Sequence, residues 1–305
     1  MKRFSLGLVL VLTFVAVGIA AAPPLTFTFS DVKANKTAIE TDSYAVNNAG
    51  IIAGDYVDAK GVQHGMVLAG GKLTTINNAK CQAITGTGGI SFYGINKSGT
   101  AAGWCTGTTG TLLGFTWAKG KFTTIKFPNS TGTEATGIND NGEVVGLFVD
   151  SKGNSHGFLL ANKKYTPINV KGATDTAAWG INNAGDITVY TASSFSSGSL
   201  SCSTTGPCTS FLRKGAKLTK ISPPKAGAIG AVVHTPNNKG DLDGTYFDTN
   251  GAPVGFLLHG GKYFDVKDPK ASNSTRNDGL NDNLEMVGRY TPSTGGNLGY
   301  KTTTK

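Results

Sequence analysis

The sequence predicts an all-β fold, a six-bladed β-propeller closed by its own N-terminal strand, and three observations carry the prediction. A motif recurs six times, its period is that of a four-stranded blade, and the sixth copy is cut short where the other end of the chain can complete it. The clearest copy opens Gly137-Ile138-Asn139-Asp140-Asn141-Gly142, continues Glu143-Val144-Val145-Gly146 and ends His156-Gly157-Phe158-Leu159-Leu160. Its asparagine has counterparts at Asn47, Asn96, Asn182, Asn237 and Asn281, with successive spacings of 49, 43, 43, 55 and 44 residues. Blades of four strands repeat every ~40–45 residues.

Within a copy the spacing is tighter. From the asparagine to the glycine of the third strand is 18 residues in five copies (Gly65, Gly114, Gly157, Gly255 and Gly299), and 28 in the fourth, where Ser210 stands in that place. Each repeat reads as strands a to d. In the third copy strand a is Ala135–Asn139, and Asp140-Asn141-Gly142 supplies the positive φ of a tight turn. Strand b is Glu143–Val149, followed by the turn signal Asp150-Ser151-Lys152-Gly153. Strand c is His156–Leu160, and Asn162-Lys163-Lys164 reverses the chain into strand d, Tyr165–Val170. After the N-terminal segment no 3.6-residue apolar period is sustained, so no helix is expected.

The sixth repeat stops after strand c, at Gly299-Tyr300-Lys301. Phe27–Val32 resembles strand d of the fifth repeat, Tyr263–Val266, and is assigned as the missing strand, which closes the ring without an unsatisfied edge. Four substitutions break the motif: Leu284 for the turn glycine, Val189 for the strand-b glycine, Ser210 for the strand-c glycine and Pro236 before the asparagine. Blades four, five and six are expected to be locally less regular.

Residues 1–22 read as a secretory signal peptide, with Lys2 and Arg3 as the charged end, an apolar run from Leu6 to Ile19, and Ala20-Ala21-Ala22 for cleavage. Pro23 is awkward after a cut at Ala22, leaving the bond after Ala20 as the alternative. The run is slightly short for a membrane span, so no membrane insertion is expected after cleavage. Residues 23–305 form one six-repeat domain, secreted or periplasmic. Removing Lys2 and Arg3 takes the formal charge from +9 to +7. No Lys/Arg block concentrates that charge, and no nucleic-acid partner is expected. Lysine beside the c–d turn (Lys72, Lys121, Lys164, Lys217 and Lys262) reads as protection of the outer edge against strand pairing.

The G-I-N-x-x-G, V-V-G and H-G-F elements together resemble the HAF-type extracellular repeat proteins of bacteria, over nearly the whole mature chain. The resemblance implies export and repeat architecture, and carries no catalytic assignment.

Cys81, Cys105, Cys202 and Cys208 form an even set in an exported chain, which favours disulfides. Cys81 lies in the blade one–blade two loop, about six residues longer than its shortest counterparts, and Cys105 ends strand b of blade two. Loop and b–c turn share one face, so Cys81–Cys105 is expected. Cys202 and Cys208 both sit in the ten-residue insertion of blade four, giving Cys202–Cys208. Both insertions fall on the same face.

No catalytic constellation stands out, and no cofactor or metal site is read. His64 and His156 share a repeat position that elsewhere holds Leu113, Thr209, Val254 and Leu298, a structural slot. His234 and His259 have no evident partners. His259-Gly260-Gly261 aligns with plain turns and lacks a nucleophile elbow. Asp58, Asp150 and Asp248 each open an Asp-x-x-Gly turn, thin for calcium. Tyr56, Phe148, Tyr246 and Tyr290 recur two residues after the strand-b glycine and are weak candidates for a sugar-binding surface, the commoner use being packing. The function expected is a non-catalytic extracellular binding or scaffold module whose partner is a glycan or an extracellular protein. The alternative is a polysaccharide-active hydrolase or lyase, which requires carboxylates gathered at the mouth of the central channel.

Overall fold

The computed structural model describes residues 25–82, 89–192 and 208–305, and among these there are 24 strands and no helix. β1 is Phe27–Val32. Blade one comprises β2 (Glu40–Val46), β3 (Ile52–Val57), β4 (Gln63–Ala69) and β5 (Lys72–Ile76). Blade two is β6 (Ser91–Ile95), β7 (Ala101–Thr106), β8 (Leu112–Ala118) and β9 (Lys121–Ile125). Blade three follows as β10 (Gly132–Ile138), β11 (Val144–Val149), β12 (Ser155–Ala161) and β13 (Lys164–Ile168). Blade four is β14 (Asp175–Ile181), β15 (Ile187–Ala192), β16 (Thr209–Lys214) and β17 (Lys217–Ile221). Blade five is β18 (Gly230–Pro236), β19 (Leu242–Phe247), β20 (Pro253–His259) and β21 (Lys262–Val266). Blade six is β22 (Ser274–Leu280), β23 (Met286–Thr291) and β24 (Leu298–Thr304), completed by β1.

Every sheet is a four-stranded antiparallel meander, and the six form a ring: a six-bladed β-propeller. The seam is the one the repeat phase predicts. β1 runs antiparallel to β24 from Phe27 opposite Thr304 to Val32 opposite Gly299. The fully buried Tyr300 closes the joint, its hydroxyl donating to the Arg276 carbonyl and Asn277 Oδ1 at 3.1 and 2.9 Å.

The recurrent asparagines hold the inner strands together. Each Asn Oδ1 accepts two backbone N–H groups of its own a–b turn; for Asn139 these come from Asn141 and Glu143, at 3.1 and 3.0 Å. Each Nδ2 donates to the carbonyl of the next asparagine in the ring. The chain of bonds runs Asn47 to Asn96, Asn139, Asn182, Asn237 and Asn281 at 3.0–3.2 Å. Asn281 then returns to Asn47 at 3.0 Å.

Two classes of glycine set the spacing. A Cβ on the strand-b glycine Gly146 would lie 1.9 Å from the Glu134 carbonyl oxygen, and the equivalent clash recurs at Gly54, Gly103, Gly244 and Gly288. A Cβ on the strand-c glycine Gly157 would come within 3.0 Å of the backbone of blade four. Ser210, in the strand-c slot of blade four, replaces that close approach with bonds of its own: Oγ donates to the Ala231 carbonyl at 2.8 Å and accepts from the Val233 amide at 3.1 Å.

The motif breaks act locally. The inner pair of strands shifts register across one residue in blades one, two, three and six, and across two in blades four and five. In blade five Asp243 Oδ1 accepts the Thr235 amide at 2.7 Å next to Pro236, which has no N–H for the ladder. Blade six keeps the regular register, and Leu284 takes the left-handed turn conformation at φ 57°. The lysines that begin β5, β9, β13, β17 and β21 are exposed on the outermost strands.

Replacing Asn281 with Ala removes the ring bond at the seam and leaves the Asn283 and Glu285 amides without their side-chain acceptor. Loss of about 2–3 kcal/mol is expected in urea unfolding. Asn281→Asp keeps the acceptor but sets a second carboxylate beside Glu285, and is expected to cost at least as much. Unfolding midpoints unchanged in both variants would mean the ring carries no stability.

Candidate functional site

Each register shift of the inner strands marks a β-bulge, and a bulge re-aims the residue it leaves unpaired. The bulged residues lie three places before the ring asparagine: Tyr44, Tyr93, Thr136, Trp179 (with Gly180), His234 (with Thr235) and Asp278. In five blades the strand-b glycine makes room for the bulge, since the carbonyl beside it occupies the place of a Cβ, while blade four bulges across two residues with Val189 in that slot. Five of the six bulged residues line a central cavity of about 470 Å³. Gly153 and Asn297, from the b–c turns of blades three and six, also belong to its lining, so the cavity reaches the face carrying those turns and the incoming loops.

Aromatic rings form its floor. Tyr44 and Tyr93 lie 4.4 Å apart between ring centres, and Tyr93 stacks parallel to Trp104 at 6.3 Å. Blade three contributes the small Thr136 at its bulge, which lets Tyr93 meet Trp179 edge-on at 5.3 Å. Trp179 in turn contacts Tyr190 and His234, at 5.6 and 5.7 Å. Tyr93 and Trp179 also bound a second hollow of about 90 Å³ on the far side, walled by the asparagine ring. The rings therefore divide the channel in two.

Charge is placed unevenly around the wall. Arg289 Nη1 donates to Asp278 Oδ2 at 3.0 Å, Nε lies 3.9 Å from Asp42 Oδ1, and the guanidinium sits 5.0 Å above the Tyr44 ring. Tyr44 donates to Asp42 Oδ2 at 3.1 Å. Asp55 accepts from Ser91 at 2.6 Å, and burial pushes its carboxyl well above the usual carboxylate range, with Asp42 adding to the shift. His234 Nδ1 lies 2.6 Å from the Asn277 carbonyl, and burial holds the imidazole below its ordinary pKa. Glu134, at 4 % exposure, has its carboxyl pushed up to about 8 by burial. The indole Nε1 of Trp104 is buried and finds no acceptor among the described residues.

The weak aromatic candidates lie elsewhere. Tyr56, Phe148, Tyr246 and Tyr290 are all buried in blade cores. Tyr56 bonds Thr75 at 3.0 Å, Phe148 stacks on Phe127 at 3.6 Å, Tyr246 donates to Asp265 at 3.1 Å, and Tyr290 donates to Asp31 of β1 at 3.1 Å. His64 and His156 make matching clips: each ring joins the Asp of its own b–c turn (Asp58, Asp150) at 3.1 Å to an asparagine of the outgoing loop (Asn77, Asn169) at 2.7 and 2.8 Å. The turn aspartates Asp58, Asp150 and Asp248 each spend Oδ1 on two backbone amides of their own turn. His259 pairs with Asp241 at 2.8 Å. Cys81 and Cys105 form the expected disulfide, with Sγ–Sγ 2.03 Å. Cys202 lies outside the described residues and the Cys202–Cys208 pairing with it, as do most of both insertions; Cys208 itself is buried.

Tyr44, Tyr93, Trp104, Glu134, Trp179, Arg276 and Arg289 were not among the residues singled out from sequence. The signal that marks them is divergence at fixed repeat positions. Three and five places before the asparagine, and eight after it, twelve of the eighteen slots hold Tyr, Trp, His, Glu, Asp or Arg according to the blade, and the other six hold Ser, Thr, Ala, Val or Leu.

The chain matches no protein-family model and no curated protein. It is similar in structure to a variant of the Aleuria aurantia lectin AAL in complex with Fucα1-6GlcNAc, with a TM-score of 0.52, 12% identity, and coverage of 88% of this chain and 94% of the lectin. The SapL1 lectin in complex with α-methyl fucoside gives a TM-score of 0.51 at 12% identity, over 88% of this chain and 96% of that one. A protein of unknown function from Dyadobacter fermentans gives 0.53 at 11% identity, over 93% and 100%. At these identities the likeness is one of fold.

Among the described residues no helix is long and apolar enough to cross a membrane.

The buried carboxyl of Glu134 gives a test of the site's electrostatics. Between about 4.5, its ordinary value, and about 8, the folded chain holds a proton that the unfolded chain has released. Stability from this group is therefore greatest below 4.5 and falls as pH rises through the window, by up to about 1.4 kcal/mol per pH unit. Glu134→Gln removes that slope. The variant is expected to match the parent near pH 4 and to exceed it by about 2–4 kcal/mol at pH 8 in urea unfolding. Parallel stability curves for the two proteins would refute the assignment.

Proposed function

We propose that the protein is a secreted, non-catalytic glycan-binding module of HAF-type repeat architecture, and that its binding site is the larger central cavity. One observation carries the reading: a hollow of about 470 Å³ walled by aromatic rings from four blades, with the polar and charged groups of Glu134, His234, Arg276 and Arg289 set among them. That volume falls in the ~300–1,000 Å³ range of small-molecule sites, which combine apolar and aromatic walls with a few placed polar groups. A sugar ring presents C–H faces to aromatics and hydroxyls to polar groups, and the cavity offers both.

The lectins that share the fold were solved with fucosides. That agrees with a carbohydrate ligand by analogy of fold alone. The disulfide and the signal-type N-terminus both suit an oxidising compartment outside the cytoplasm.

A second reading, a polysaccharide-active hydrolase or lyase, draws on Glu134 and Asp278 lining the same cavity. Asp278 is committed to Arg289, and Glu134 holds its proton at neutral pH. Reducing-end and unsaturated-product assays on a polysaccharide panel decide it, and no release from any of them ends this reading.

Two of the three tryptophans, Trp104 and Trp179, line the cavity, while Trp117 packs in blade two. A Trp117→Phe protein therefore reports on the site by fluorescence. Titration with neutral and acidic mono- and disaccharides is expected to give a saturable change in emission. Trp104→Leu removes an aromatic ring from the cavity wall and is expected to weaken binding roughly tenfold by equilibrium calorimetry. Silence across the whole sugar panel would sink the glycan reading.

A further inference from the structure

The cavity wall carries one cation that makes no contact ion pair among the described residues, the carboxylates of Asp278 and Asp42 acting on it only at longer range. Arg289 is committed to Asp278 and lies near Asp42. Arg276, on the innermost strand of blade six, is different. Its guanidinium lies 5.4 Å from the centre of the Phe247 ring, and among the described residues it makes no hydrogen bond or ion pair through its side chain. It lines the cavity. Its place in the repeat, five residues before the ring asparagine, is held in blade three by Glu134. Blades three and six stand opposite each other in a ring of six, so these two residues mark opposite walls.

We infer that the cavity is built for an anionic sugar, and that Arg276 receives its acidic group while the aromatic floor receives the ring. The inference rests on the glycan reading above and narrows it. Arg276 is half-buried on the cavity wall, and a sugar seated there would desolvate its guanidinium further, a cost that a carboxylate or sulfate ester on the ligand offsets. Its planar fork of five N–H donors matches such groups through paired bonds. Packing on Phe247 fixes the plane of the fork while leaving its edge for the ligand. Glu134, whose carboxyl burial pushes up to about 8, adds no second full negative charge on the opposite wall at neutral pH. A neutral sugar would leave Arg276 without a contact ion pair.

The test uses the mature full-length protein and calorimetric titration with six probes: glucuronic acid, galacturonic acid, glucose 6-sulfate, glucose, galactose and acetate. At least one acidic sugar is expected to bind ten-fold or more tightly than its neutral parent, and far more tightly than acetate. Whether the uronic acids or the sulfate ester show the gain identifies the acidic group. Arg276→Gln is expected to bring acidic and neutral sugars to equal affinity, and Arg276→Lys to keep part of the preference because the charge survives without the fork. Thermal unfolding of each variant separates loss of the site from loss of the fold, and if Arg276→Gln does not fold, Arg276→Lys and the parent's own preference decide. Neutral and acidic sugars bound equally by the parent, or a preference that persists in Arg276→Gln, overturns the inference and leaves the glycan reading standing. Acetate bound as tightly as the sugar acids also overturns it, as a simple anion site. No binding of any sugar removes both.

Discussion

The six asparagines around the channel are the constraint from which the rest of the structure follows. Each uses its oxygen inside its own blade, shaping the a–b turn, and its amide N–H on the next blade's carbonyl, so one side chain sets both the turn and the neighbour's position. Six such links close only if the sixth reaches the first, which Asn281 does. A second, outer circle of contacts shows what happens when the residue type fails. The amides of Lys97, Asp140, Asn183, Asn238 and Asp282 each meet the side-chain oxygen of the following blade. Lys97 has no side-chain acceptor to offer Asn48, so the outer circle stays open there. The inner one, with an amide at every station, is complete.

Fixing the inner strands at that radius leaves the problem of what fills the axis. The strand-b glycine and the bulge it permits are the solution. Without a Cβ at Gly54, Gly103, Gly146, Gly244 or Gly288, a carbonyl two residues before the bulge takes its place and the bulged residue turns towards the axis; blade four, with Val189 in that slot, bulges across two residues. The scaffold thus separates two kinds of position. Residues that recur build the ring, and residues at the bulge are free to differ because their environment is the channel rather than a blade interface.

That separation explains what could be read from the sequence. The fold was legible because asparagine, glycine and strand-c aromatic recur at fixed offsets, and the closure by Phe27–Val32 was legible because the sixth repeat ends one strand early. Cys81–Cys105 followed from a loop length and a shared face. The site was not legible by the same logic. Tyr56, Phe148, Tyr246 and Tyr290 attract notice because they recur, and recurrence in a repeat protein marks packing: all four are buried, and Tyr290 serves the seam by bonding Asp31. Tyr93, Trp179 and His234 occupy one equivalent slot but share no residue type, so a search for repeated residues passes over them. His234, without a partner in sequence, gains the Asn277 carbonyl only because blades five and six adjoin.

The same distinction bears on valency. A site between adjacent blades would recur around the ring in near-copies, and its residues would have to recur with it. A site on the axis exists once per molecule, and sixfold repetition then works against it, since equivalent side chains would present a ligand with six identical walls. Divergence breaks that symmetry here: aromatic rings on blades one, two and four, a carboxyl on blade three, a guanidinium on blade six. An asymmetric ligand needs such a wall to bind in one orientation. With a single site, no gain from multivalent attachment is available to one molecule, so affinity has to come from desolvated contacts inside the channel. The aromatic wall of the cavity and Arg276, which makes no contact ion pair among the described residues, are the features that such binding requires.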